Sequence, residues 1–165
     1  MASDKPRVDL STSIVVAGVW RNLAVAEWRA QGRTVDVAAI YDLQRALIRK
    51  HAGKIVTLTI VPGAVIRPPD PAMRKAIDDA VFDIHPHTAA AAMILPAGGF
   101  GGAIVRSILT SLNFLRRLDF PNKIFAAAPD ACSFLAPFVD GAPTGAAIDA
   151  AVRDILAAPP QDPAR

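Results

Sequence analysis

The chain predicts an α/β domain built on a mostly parallel sheet, and three observations carry that prediction. Short runs rich in Val, Ile, Thr and Ala alternate with longer segments whose apolar residues recur at helical spacing. Two such runs, 13–20 and 23–29, are separated only by Arg21-Asn22, which predicts an antiparallel hairpin near the amino terminus. Further on, the apolar run 89–95 passes through Gly98, Gly99, Phe100, Gly101 and Gly102 into an amphipathic stretch, the order of a buried strand, a tight turn and a helix.

Each element follows from local chemistry. Residues 1–12 carry Asp4, Lys5, Arg7 and Asp9 with no apolar core, so they read as a flexible lead and not as a secretory signal. After the hairpin and a turn at Gln31-Gly32, Asp36 can cap a helix over 37–52, with Val37, Ile40, Tyr41, Leu47 and Ile48 on one face and Gly53 at its end. The run 55–61 is dense in Ile, Val and Thr and reads as an interior strand closed by Pro62-Gly63. Asp70 is a natural N-cap for a second helix with Pro71 in its first position, where Met73, Ile77, Ala80, Val81 and Ile84 share a face until His85-Pro86-His87 stops it. A strand over 89–95 leads to a third helix over 100–118, which turns Ile104, Ile108, Leu112 and Leu115 inward. A strand over 123–127, a helix capped by Asp130 and running to 139, and another over 146–157 complete the domain, and 158–165 reads as a disordered tail. The expectation is one domain over 13–157, a mixed sheet of about five strands with an antiparallel hairpin, and four to five helices.

Composition excludes several classes. With 165 residues, 52% of them hydrophobic and 20% charged, the chain can bury a core without a staple. A net charge of +3 with 6% aromatics is too little for a nucleic-acid face. Cys132 is the one cysteine, which rules out an internal disulfide or a thiolate metal site and suits a reducing cytoplasm. The uncharged stretch 88–105 is broken by Pro96 and four glycines, so no membrane span is expected.

This order of elements resembles the STAS family, the sulfate-transporter and anti-sigma-factor-antagonist domains. The residues that carry the resemblance are the hairpin around Arg21-Asn22, the strand 55–61 followed by a helix starting near Asp70, and Met93-Ile94-Leu95 running through Gly98–Gly102 into a long helix. The resemblance implies a switch Ser or Thr at the start of the helix after the central strand, phosphorylated by a partner kinase. Here 61–70 holds no hydroxyl, and Asp70 stands at that helix start.

Candidate chemistry is sparse. The loop Gly98, Gly99, Phe100, Gly101, Gly102 precedes a helix, whose free N–H groups, with Arg106 one turn in, could hold an anion or other ligand, although it matches neither the dinucleotide nor the Walker fingerprint. Asp83, His85 and His87 alternate as metal ligands on an extended segment would, but Pro86 and the helix end make a chance spacing the ordinary reading. His51 reads as a cation at a helix C-terminus, and Cys132 as a buried structural thiol. Ser107, Thr110 and Ser111 have no nearby histidine, and Arg67, Arg74, Arg106, Arg116 and Arg117 read as separate solvated charges. No catalytic residue, cofactor or metal is expected. The function expected is a non-enzymatic regulatory or protein-interaction module of STAS type, with a protein partner or a second copy of itself. The alternative is a binder of a small hydrophobic or anionic ligand beside Gly98–Gly102 and Arg106.

Overall fold

The computed structural model describes residues 4–62, 69–95 and 118–161. Six strands lie side by side in chain order: β1 (Arg7–Ser11), β2 (Val15–Trp20), β3 (Leu23–Trp28), β4 (Ile55–Ile60), β5 (Thr88–Ile94) and β6 (Asn122–Phe125). β1, β2 and β3 are antiparallel, and β3 through β6 are parallel. The described helices are α1 (Thr34–Lys50), α2 (Pro71–Ile84), α3 (Ala128–Leu135) and α4 (Gly145–Leu156), with short 3-10 turns at His85–His87 and Ala136–Phe138. The strands advance across the sheet in one direction, so crossovers of a single hand place α1 and α2 on the same face. α3 and α4 cover the other.

The pleat sorts the core between those faces. Val56, Leu58 and Ile60 of β4 pack with Leu23 and Val25 of β3 against Leu135, Ile148 and Ile155. On the opposite side, Val15, Ala17 and Ala26 meet Ile40 of α1, while Val19, Ala24 and Ile55 meet Leu47. β4 is the central strand expected, with almost all of its side chains buried.

Caps and turns explain where the elements begin. Arg21 carries the hairpin at φ 55°, and Asn22 ties the turn down by donating to the carbonyls of Lys54 and Phe138, both at 3.1 Å, and accepting from Asp140 N–H at 2.9 Å. Asp70 caps α2 as expected, accepting from Met73 N–H at 2.7 Å, with Pro71 opening the helix. Thr144 does the same for α4.

Several sequence-based boundaries are corrected. The flexible lead contains β1, which pairs with β2 because Gly18 lets its backbone approach; a Cβ there would lie 2.3 Å from the Arg7 carbonyl oxygen. The sheet therefore has six strands. Part of the tail is held as well: Ser11 bonds to the carbonyls of Ala158 and Pro159, and Gln161 N–H donates to Ser11. Arg29 reaches the last carbonyls of the domain, donating to Ala158 O at 2.5 Å, a cation at the end of α4. Asp36 is not an N-cap. Arg33 takes that position, and Asp36, three residues in, accepts from its backbone N–H at 2.8 Å, so α1 starts earlier than expected. Asp130 does not cap α3 either; Ala127 stands at its N-cap with Pro129 in the first turn, and the helix gives way to a 3-10 turn at Pro137. The third helix expected over 100–118 lies almost wholly outside the described residues.

Candidate functional site

The two sheet faces receive different side chains. On the α3–α4 face, a row across three strands reads Val25, Leu58 and Ala92. On the α1–α2 face, the corresponding rows read Ala24, Thr57 and Ala91, then Ala26, Thr59 and Met93. Alanine and threonine are too short to fill the space beneath two helices, and a close-packed interior leaves room only where side chains cannot reach.

A cavity of about 270 Å³ results. Its floor is Ala26, Thr57, Thr59, Ala91 and Met93; its roof is Ile40, Tyr41 and Gln44 of α1 with Met73, Ile77 and Val81 of α2. Trp28 and Gly32 close one end. Gly32 lies against the indole so tightly that a Cβ would come 2.2 Å from Trp28 Cζ3. Leu118 and Phe120 stand near the other end.

The surface facing this space is mostly apolar, with Arg74, Asp78, Asn122 and Lys123 also on its lining. Gln44 is 6% exposed, and among the described residues its Oε1 is buried without a hydrogen-bond partner. Burial raises the Tyr41 phenol above its ordinary value, the Asp78 carboxylate adds to the shift, and Arg45 opposes it. Tyr41 is therefore a neutral phenol at physiological pH. Arg45 is taken up by Asp83 at 2.6 Å and Asp42 at 3.0 Å.

Among the described residues, Asp83, His85 and His51, singled out by sequence, sit in separate contacts. Gly98, Gly99, Phe100, Gly101, Gly102 and Arg106 lie outside the described residues, as do Ser107, Thr110, Ser111, Arg67, Arg116 and Arg117. Asp83 is engaged by Arg45, while His85 Nε2 accepts from Asp119 N–H at 3.3 Å beside the Phe120 ring. No group of three or more His, Cys, Asp or Glu among the described residues is placed to hold a metal ion. His51 follows α1 as expected, yet its Nε2 lies 3.0 Å from Asp140 Oδ2 instead of serving the helix carbonyls. Cys132 is fully buried, and burial pushes its thiol up to about 11, with Asp149 adding and Arg153 opposing, so it is inert at neutral pH. No described helix is long and apolar enough to cross a membrane.

Gln44, Tyr41, Thr57, Thr59 and Ala91 were not among the expected site residues. Two signals in the sequence pointed to them. The strands Leu-Ala-Val-Ala at 23–26 and Val-Thr-Leu-Thr at 56–59 alternate large with small, and Gln44 interrupts the apolar helical series Val37, Ile40, Leu47. Comparison with protein-family models, with curated proteins and with solved structures finds no match for the chain.

Proposed function

We propose that this chain is a non-enzymatic regulatory domain that binds a small, largely apolar molecule in the cavity between α1, α2 and the sheet. One observation carries the reading: a buried amide oxygen without a partner on the wall of a largely apolar cavity. Buried polar atoms are almost always hydrogen-bonded, and an orphan costs roughly 1–3 kcal/mol, so its retention on a binding wall has a rationale that its retention in a core lacks. Asp83, His85 and His51, each held in its own contact, support a binding role over a catalytic one. The test is native mass spectrometry of the full chain as purified from its own cells. A stoichiometric adduct of small mass is expected, released on denaturation; a clean polypeptide mass that stays unchanged with added apolar compounds would overturn the reading.

The STAS-type interaction module is the second reading, favoured by Phe82, which stands 77% exposed on α2. A ring left in water on the helix that roofs the cavity suits a surface through which occupancy is read by a protein partner. Phe82→Ala is expected to weaken capture of that partner while leaving the melting temperature within about 1 °C, since surface changes are nearly neutral. The lone buried thiol suits a reducing compartment, and we place the protein in the cytoplasm.

A further inference from the structure

We infer that the occupant of the α1–α2 cavity is a neutral molecule, about the size of a bicyclic aromatic, that presents one O–H or N–H donor to Gln44 Oε1. This rests on the ligand-binding reading above and specifies its chemistry. Gln44 shares the buried face of α1 with Val37, Ile40 and Leu47, a position where the helical period places an apolar side chain. A carbonyl oxygen only accepts, so whatever completes Oε1 must donate.

Desolvation weighs against a charged occupant. A charged group brought to Gln44 would be stripped of water among Ile40, Met73, Ile77 and Val81, at a cost that one hydrogen bond does not return. The charged residues of the lining, Asp78, Arg74 and Lys123, are of both signs and so select neither an anion nor a cation. Tyr41, held neutral, brings no charge of its own. The volume of about 270 Å³ sits just below the common range of small-molecule sites, roughly 300–1,000 Å³, and suits a compact ligand of bicyclic size.

Indole and benzofuran separate the donor from the shape: the two rings are nearly isosteric, and only indole carries an N–H. Calorimetric titration of the full chain with each, and with benzoate as the anionic control, is expected to give indole about a tenfold lower Kd than benzofuran, with no saturable benzoate binding. In Gln44→Leu the ratio should fall to about one as benzofuran affinity holds, and Gln44→Met, a second folded background, should behave alike. Equal affinities for indole and benzofuran in the natural chain would overturn the donor assignment while leaving a ligand site in place. A ratio that persists in both variants would overturn the role of Gln44. Failure of every compound to bind the natural chain would overturn the ligand-binding reading itself.

Discussion

The two faces of one sheet differ in what the strands place on them. On the α3–α4 side, branched residues of β3 and β4 interlock with Leu135, Ile148, Val152 and Ile155, all essentially without exposure. On the α1–α2 side, alanines and threonines leave a gap, and Tyr41 and Gln44 bring polar atoms to it. A parallel sheet buried on both faces ordinarily reads as continuous Val, Ile and Leu. Where every second position shrinks, the fold is still secured from the opposite side, and the loosened face is free to hold something else.

The comparison can be broken most forcefully on the dense side. Ile60→Asp puts a carboxylate into the cluster that α3 and α4 close, and an unpaired buried charge costs several kcal/mol, comparable to total stability. The variant should not give a cooperative melt by circular dichroism. Ile155→Ala, a cavity made where nothing can collapse, should lose about 2–5 kcal/mol in urea titration. By contrast, Ala91→Leu adds volume on the loosened face and should shift stability by less than about 1 kcal/mol, against the 1–3 kcal/mol that overpacking costs in a filled core. If Ala91→Leu were as damaging as Ile155→Ala, the two faces would be equally packed and the comparison would fail.

Smaller effects sharpen it. Gly32→Ala forces the Trp28 ring away from its loop and should cost about 1–3 kcal/mol, with a change in tryptophan emission as the second readout. Glu27 supplies a pH test on the dense face, where its row across the sheet continues through Ile60 and Ile94. Desolvation raises its pKa above the ordinary 4.5, and Arg29 offsets only part of that rise. The folded state therefore holds the proton more tightly than the unfolded one. The penalty is absent below pH 4.5 and grows as pH climbs through the raised value, so Glu27→Gln should melt higher than the natural chain at pH 7 and match it near pH 4.

The alternation of strands and helices made the fold class legible, because period-2 and period-3.6 patterns survive without tertiary information. Asp70-Pro71 and Arg21-Asn22 were legible for the same reason, since cap and turn chemistry are local. β1 was not. Its five residues are exposed or half-buried, and only Gly18, far along the chain, admits them to the sheet. The site was harder still, since a cavity is a relation between Ala91, Thr57 and Gln44 that no segment contains. Its trace was the small residue at every second place in β3 and β4, which reads as a strand before it reads as a wall.

The central claim, that the α1–α2 face is a binding surface and the α3–α4 face is the foundation, is tested most directly by thermal melts with added indole on three chains. The natural protein and Ile155→Ala should both gain stability as indole saturates, by RT ln(1 + [L]/Kd), from their different starting points. Ala91→Leu, its cavity filled, should melt close to the natural chain and gain little or nothing. An equal gain in Ala91→Leu, or a gain lost in Ile155→Ala and kept there, would contradict the assignment of the faces.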